Sequence, residues 1–192
     1  IFDIVVSLLL LAPLSIVFLI IAIAIKLEDG GPVFYRQERV TTNGRKFKIF
    51  KFRTMVLNAD KVGPLVTQDH DPRITKVGRR VRNYRLDEVA QLLNVLIGDM
   101  SFVGTRPEVP RYVNCYSEEM LATLLLPAGV TSEASIMYKD ENELIGNAED
   151  PDKVYVEKVL PDKMRYNLDA LRNFSFWGEL KTMFRTVGAV LK

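Results

Sequence analysis

A long uncharged segment near the start of the sequence restricts the fold of this chain more than any other feature. The 22 residues from Ile4 to Ile25 contain no charged side chain, and only Ser7, Pro13 and Ser15 interrupt the apolar run. As a helix rising about 1.5 Å per residue, the segment would be about 33 Å long, close to the thickness of a bilayer's hydrocarbon core. We therefore expect it to be a membrane helix.

Two alternatives to a simple membrane span follow from the same residues. A cleaved signal peptide is disfavoured, because the run is too long, no basic region precedes it, and Lys26-Leu27-Glu28 is not a small-residue cleavage site. The second alternative is a helix that turns back, since Pro13 lies near the middle and removes one backbone hydrogen bond. Proline is also tolerated in spanning helices, so these residues leave a kinked span and a turning helix open.

The composition changes abruptly after this segment. The run Glu28-Asp29-Gly30-Gly31-Pro32 is typical of a turn out of the membrane, so we predict a membrane helix over residues 1–27 and one further domain over residues 28–192. A chain of 192 residues has room for one ordinary core, and its single cysteine, Cys115, excludes an internal disulfide framework. The net charge of +2 does not by itself indicate an acidic partner.

Local patterns predict an α+β domain that is mostly helical. Apolar and aromatic runs at 33–35 and 47–52, separated by a turn containing Asn43-Gly44, predict a small β-hairpin. Apolar residues recur at helical spacing from 86 to 97, and Gly98 would end that helix. Further helices are predicted over residues 111–126, 163–172 and 176–190.

Positive charge is concentrated in two stretches. Residues 36–53 hold seven Lys or Arg against one acid, and residues 73–85 hold six with no acid. Beside a membrane helix, such stretches attract anionic lipid by about 1 kcal/mol per basic residue near the surface. From these stretches we single out Arg36, Arg53 and Arg79 as candidate contacts for substrate or lipid phosphate.

The adjacent carboxylates Asp87 and Glu88 follow the second basic stretch, at the predicted start of a helix. Acidic residues there are often simple caps. The same position also suits catalysis, because a helix N-terminus and nearby arginines would keep an aspartate ionised beside an incoming phosphate. An ionised carboxylate that attacks phosphorus forms a covalent acyl phosphate.

A glycine-containing loop follows that predicted helix. Within residues 98–108, Gly104 permits close backbone approach, and Arg106 offers a planar fork suited to phosphate. The alternative reading is an ordinary surface loop with a solvated arginine.

Several short motifs occur together in one order along the chain. Read from the N-terminus, they are FYRQERV (34–40), FKIFKFRTM (47–55), DPRITKVGR (71–79), LDE (86–88), QLLNVL (91–96) and GDMSFVG (98–104). In this order, and together with the apolar segment, they resemble the bacterial sugar transferases, the monotopic phosphoglycosyl transferases that begin glycan assembly on polyprenyl phosphate. The resemblance covers most of the chain.

The resemblance implies a topology and a reaction. It implies a re-entrant helix-break-helix at Pro13, with the catalytic domain on the cytoplasmic face of the bacterial inner membrane. It also implies transfer of a sugar-1-phosphate from a UDP-sugar to polyprenyl (undecaprenyl) phosphate, with release of UMP. Such a step would initiate the biosynthesis of a glycoconjugate or polysaccharide.

The resemblance also implies roles for particular residues. Asp87 matches the family's nucleophile, which forms a covalent phosphosugar intermediate, and Glu88 matches its acidic partner. Lys51, Arg82 and Arg106 match basic positions that would bind substrate phosphate. The family uses Mg²⁺, and Asp87 and Glu88 are the candidate ligands.

Departures from the family pattern keep a second reading open. Ala12 stands where the family has a serine before the proline, so a hydroxyl expected at the bend is missing. Residues 127–135 differ from the family's corresponding segment, so donor-sugar contacts cannot be transferred. The alternative is a membrane-anchored scaffold that binds anionic lipid and carries an inactive transferase domain. In either case we expect inner-membrane lipids as partners and no nucleic acid, with an oligomer left open.

Overall fold

The computed structural model describes residues 1–59, 62, 71–139, 141 and 150–190, which combine helices with two small sheets. In chain order the elements are α1 (Phe2–Asp29), β1 (Phe34–Val40), β2 (Lys46–Phe52), α2 (Lys76–Asn83), α3 (Leu92–Leu96), β3 (Met100–Val103), α4 (Pro110–Val113), α5 (Glu118–Leu121), β4 (Ala128–Thr131), α6 (Glu133–Met137), α7 (Pro151–Val154), α8 (Leu160–Arg172) and α9 (Phe176–Val190). The predicted mixture of helix and sheet is confirmed.

The predicted hairpin is formed by β1 and β2. The two strands pair antiparallel from Phe34 opposite Phe52 to Val40 opposite Lys46. A short 3₁₀ turn at Thr42–Gly44 connects them, with Asn43 at a φ of 55°. Asparagine tolerates this left-handed conformation better than most residues, which is why the Asn-Gly pair was a reliable turn signal.

The second sheet is a parallel pair, β3 and β4, that holds the loop after β3 in place. Met100 lies opposite Ala128, and Val103 lies opposite Thr131. Beyond the strands, the N–H of Gly104 donates to Thr131 over 3.0 Å. A side chain on Gly129 would clash with the backbone of Gly104, so this close approach requires glycine.

Two predicted helices differ in extent from the observed ones. The helix expected from residue 86 begins only at Leu92, after a 3₁₀ turn at Val89–Gln91. The delay arises because Arg85 adopts a left-handed φ of 53°, which turns the chain before Asp87. The expected helix over 111–126 is interrupted, because Ser117 caps the start of a separate helix, α5. The predicted helices at 163–172 and 176–190 are confirmed by α8 and α9.

Helix α1 packs one face against the rest of the protein along most of its length. Val6, Leu11 and Leu14 contact a core cluster that includes Phe47 of β2 and Val95 of α3. Nearer the C-terminal end of α1, Ile21 and Ile25 are buried in a second cluster, with side chains from β2 and α2. The opposite face exposes most of the helix's large apolar side chains.

Pro13 lies inside α1, which is one uninterrupted helix of 28 residues and is long and apolar enough to cross a bilayer. The predicted division into two helices is therefore not shown. Next to Pro13, Ser15 Oγ donates to the carbonyl of Ala12 over 2.7 Å.

Candidate active site

The candidate site forms where the end of β2 meets the turn that precedes α3. The N–H of Phe52 donates to the carbonyl oxygen of Asp87 over 3.0 Å, which holds the turn against the strand. Lys51, the preceding residue in β2, donates from Nζ to Oε1 of Glu88 over 2.9 Å. The hairpin therefore places the ammonium group of Lys51 beside the adjacent carboxylates Asp87 and Glu88.

Arg106 reaches the same carboxylate from the loop that follows β3. Its Nη1 lies 3.2 Å from Oε2 of Glu88, and its Nη2 donates to Oε1. Glu88 therefore accepts bonds from the guanidinium on both oxygens and from Lys51 on one of them. We call Lys51, Asp87, Glu88 and Arg106 the dyad cluster. The structure brings together these four residues from three separate parts of the sequence.

The two carboxylates of the dyad cluster differ in their affinity for a proton. Burial acts to raise the pKa of Glu88, but the charges of Arg106 and Lys51 outweigh it and hold that pKa well below its usual range. Burial raises the pKa of Asp87; Lys51 lowers it in part, and the negative charge of Glu88 raises it again. The more basic carboxylate of the pair is therefore Asp87.

Nearby arginines act on Asp87 in the expected direction, because the charges of Arg82 and Arg106 lower its pKa, but burial outweighs them. The hydrogen bonds of Arg106 and Lys51 go to Glu88, so these two cations act on Asp87 through their charge alone. Among the described residues, no side chain donates a hydrogen bond to the Asp87 carboxylate. Asp87 also lies in a turn before α3 rather than in its first turn, so it gains little from the helix dipole.

The remaining predicted phosphate contacts occupy different surroundings. Arg82, in the last turn of α2, donates from Nε to Thr54 Oγ1 over 2.8 Å, and its charge acts on Asp87. The guanidinium of Arg53 is bonded to the carboxylate of Asp29, at the end of α1.

Arg36 and Arg79, the other two suggested contacts, lie at the surface. The guanidinium carbon of Arg36 is 3.5 Å from the centre of the Phe50 ring, and Arg79 is exposed on α2. The structure therefore places Arg82 near the dyad cluster, whereas the described contacts of Arg36 and Arg53 lie elsewhere.

A second group of buried and half-buried polar residues is linked to the loop that carries Arg106, and sequence reasoning missed it. We call these residues the Lys163 cluster; they are Arg39, Glu108, Glu141, Tyr155 and Lys163. The pKa of Arg106 is raised first by Glu88, with burial opposing the rise, and then by the charges of Glu141 and Glu108. The two clusters are thus electrostatically connected. Glu108 follows Arg106 by two residues, and Arg39 lies in the FYRQERV motif, but no local pattern connects either residue with Lys163.

The dyad cluster offers two carboxylates that could hold a metal ion. No group of three or more His, Cys, Asp or Glu side chains is found in the part of the chain that the structure describes. Asp87 and Glu88 offer two neighbouring carboxylates, and Glu88 is engaged with two cations. This donor set fits Mg²⁺, which commonly takes one or two carboxylates together with substrate phosphates and water.

Comparison with known proteins identifies the family. The model of the bacterial sugar transferases matches residues 1–192. This chain belongs to that family. The match includes the turn that carries Asp87 and Glu88 and the loop that carries Arg106.

Individual relatives in this family act on different sugars. The UDP-N-acetylgalactosamine-undecaprenyl-phosphate N-acetylgalactosaminephosphotransferase of Aeromonas hydrophila is 33% identical over 192 residues, 98% of this chain and 42% of that protein. The UDP-glucose:undecaprenyl-phosphate glucose-1-phosphate transferase of Escherichia coli (strain K12) is 38% identical over 189 residues, 96% of this chain and 38% of that protein. A protein of the same description from Caulobacter vibrioides is 35% identical over 192 residues, 98% of this chain and 68% of that protein. This chain therefore spans about two fifths of the first two relatives.

Proposed function

We propose that this protein transfers a sugar-1-phosphate from a UDP-sugar to undecaprenyl phosphate and releases UMP, as the first step in building a bacterial glycan. The observation that carries the proposal is the dyad cluster: one half-buried carboxylate, Glu88, holds Lys51 and Arg106, while its neighbour Asp87 accepts no bond from a described side chain. Family membership and the descriptions of the relatives support the same reaction.

The first half of the proposed reaction is attack by Asp87 on the donor. One carboxylate oxygen forms a bond to the β-phosphorus of the UDP-sugar, and the bond from that phosphorus to the bridging oxygen breaks. UMP leaves with the electron pair, and a phosphosugar remains on Asp87 as an acyl phosphate. Because burial and Glu88 raise the pKa of Asp87, its ionised form is more basic than an exposed carboxylate and hence more nucleophilic.

The second half of the proposed reaction regenerates the free carboxylate of Asp87. An oxygen of undecaprenyl phosphate attacks the same phosphorus, the bond to Asp87 breaks, and the product carries a diphosphate between lipid and sugar. Arg106 and Lys51 stand within bonding distance of Glu88 and can share their donors with phosphate oxygens in both steps. No net proton is taken up or released.

We propose that Mg²⁺ accompanies the donor. Asp87 and Glu88 would hold it together with the diphosphate, and it would neutralise phosphate charge as UMP leaves. The chain's own contribution is to position Arg106 and Lys51 on Glu88, which leaves Asp87 without a hydrogen bond from a described side chain.

We further propose that α1 is re-entrant, with both ends and the catalytic domain on the cytoplasmic face of the inner membrane. The contacts of α1 support this. Leu11 and Leu14, near the middle of α1, pack against side chains of β2 and α3, and a full span of the bilayer would place those elements in the hydrocarbon. The exposed face of α1 would then meet lipid.

Helix α9 extends the lipid-facing surface in this proposal. Phe2 of α1 meets Phe176 edge to face at 5.3 Å between ring centres, and Phe176 meets Trp177 at 5.7 Å. Trp177 and Phe184 are exposed, and such amphipathic aromatic side chains are enriched at membrane interfaces.

A cysteine-labelling experiment tests the topology. Ile1→Cys in intact cells should resist a membrane-impermeant reagent, as should the exposed natural Cys115, which serves as the internal reference. Both should react after permeabilisation. Labelling of the introduced cysteine from outside, with Cys115 protected, would contradict re-entry.

A turnover assay tests the reaction itself. The full chain in membranes should release UMP from at least one member of a UDP-sugar panel and form a lipid-linked product, and Asp87→Asn should abolish both. If the wild type binds anionic vesicles but transfers nothing from any donor, the protein is the lipid-binding scaffold instead.

A further inference from the structure

The Lys163 cluster contains a lysine that is almost completely buried. Its side chain is 5% exposed, and its Nζ donates to Oε2 of Glu141 over 2.8 Å and to the hydroxyl of Tyr155 over 3.3 Å. Burying an ammonium group is unfavourable unless it is paired and hydrogen-bonded, so these partners are needed to keep Lys163 in place. The dyad cluster does not contact Lys163 directly.

Tyr155 links Lys163 by hydrogen bonds to Glu108, which lies in the loop that carries Arg106. Its hydroxyl accepts from Lys163 and donates to Oε1 of Glu108. Burial raises the pKa of Tyr155 well above its usual range, with Glu108 adding to the rise, so the hydroxyl stays a donor at any physiological pH. Lys163 thereby orients Glu108 through one intermediate side chain.

The loop itself is anchored at the two residues after Arg106. The carbonyl oxygen of Pro107 accepts from Arg39 over 3.0 Å, and that of Glu108 accepts from the N–H of Val40 over 3.0 Å. With its backbone fixed in this way, Arg106 extends its guanidinium toward Glu88.

The negative charges of Glu108 and Glu141 explain why a cation, Lys163, is needed beside the loop that carries Arg106. Glu108 and Glu141 both act on Arg106, and both are anions that would compete with Glu88, or with a substrate phosphate, for its guanidinium. Lys163 bonds Glu141 directly and Glu108 through Tyr155, while Arg39 lies 3.7 Å from Glu108. Positive and negative groups therefore alternate from one cluster to the other.

We propose that Lys163 is a positioning residue for Arg106: by holding Glu141 and, through Tyr155, Glu108, it leaves the guanidinium directed at the dyad and available to the donor diphosphate. The inference rests on the proposed function for the identity of the donor. Lys163 lies outside the motifs that carry the family resemblance.

Affinity for UDP is the most direct readout, because binding requires no transfer. Lys163→Met removes the charge while keeping most of the side-chain length, and we expect it to weaken UDP binding about tenfold. The donor KM should rise by a similar factor, whereas kcat should change less than about threefold. Lys163→Arg should retain most of the affinity, and Lys158→Met, which removes an exposed lysine from the neighbouring turn, should leave it unchanged.

The double variant Lys163→Met/Glu141→Gln separates positioning from a merely structural role. If the freed Glu141 carboxylate competes for Arg106, removing its charge should restore most of the UDP affinity. Tyr155→Phe, which keeps the ring and loses the relay hydroxyl, gives an independent check and should weaken UDP binding in the same direction.

Two outcomes distinguish the inference from the function on which it rests. Equal UDP affinities in Lys163→Met and the double variant, with no effect of Tyr155→Phe, would overturn the positioning role. UDP affinities in the expected order, without sugar transfer by the wild type, would overturn the proposed function alone.

Discussion

The dyad cluster and the Lys163 cluster are both at least half-buried groups of charged residues, but their charges are paired differently. In the Lys163 cluster each charged side chain has a partner of opposite sign, as Lys163 has Glu141 and Arg39 has Glu108. In the dyad cluster two cations share Glu88, and Asp87 is left with a raised pKa. Charges paired one to one can hold a loop in place, whereas two cations paired with one carboxylate leave the other carboxylate ready to react.

Among variants that leave Asp87 in place, Glu88→Gln should have the largest effect on turnover, because it removes the carboxylate that Lys51 and Arg106 share. Turnover should fall about 100-fold or more, since Arg106 and Lys51 lose their common anchor. The acid limb of the pH–kcat/KM profile should move to lower pH, because the negative charge of Glu88 raises the pKa of Asp87. Glu118→Gln, on the exposed first turn of α5, is the matched control. A normal rate and an unmoved acid limb would reduce Glu88 to a structural residue.

Arg106→Lys should have an intermediate effect. Lysine keeps the charge but cannot bond both oxygens of Glu88 at once, so kcat/KM for the donor should fall by an amount equivalent to about 1.5–3 kcal/mol. Arg45→Lys alters an exposed pair with Asp99 and should be silent. If Arg106→Lys leaves the donor kinetics unchanged, the guanidinium of Arg106 does not bind the donor.

The smallest of these effects should be the change in thermal stability caused by Asp87→Asn. Unlike most substitutions, it should stabilise the folded protein at neutral pH. Because the folded-state pKa of Asp87 is raised, its protonated form favours folding below the unfolded pKa, and this contribution is lost as pH rises through the folded pKa. At neutral pH the variant should therefore melt a few degrees higher than wild type, since about 1 kcal/mol shifts the Tm of such a domain by about 2–4 °C.

The pH dependence of this difference is the check. The gain in Tm should shrink as the pH falls toward the ordinary range for aspartate. Glu88→Gln should show the opposite sign, because Glu88 has a lowered pKa and stabilises the fold above its unfolded value. Equal stability of wild type and Asp87→Asn at every pH would show that Asp87 carries no buried charge.

What could be predicted from sequence depended on how far apart the interacting residues lie. Asn43-Gly44 and the spacing in α8 and α9 are local signals, so the hairpin and those helices were found. Asp87 and Glu88 are neighbours within a motif, so they could be proposed together. The Lys163 cluster joins residues such as Tyr155 and Glu108, which are 47 positions apart and have no local pattern.

Other features required burial rather than spacing. Helix α1 is apolar on all sides, so its sequence did not show which side packs on the domain. The division of the proton between Asp87 and Glu88 depends on where the bonds of Arg106 and Lys51 go, and the sequence gives only their charge. The late start of α3 arose from the backbone at Arg85, a residue type that seldom adopts positive φ.

The most direct test of the account is the mass of the protein after incubation with its UDP-sugar and no undecaprenyl phosphate. Wild type should gain the mass of one phosphosugar, the added group should map to Asp87, and undecaprenyl phosphate should then remove it. Asp87→Asn should gain nothing. An adduct on another residue, or full transfer by the wild type with no adduct at any time, would contradict the claim that Asp87 is the nucleophile.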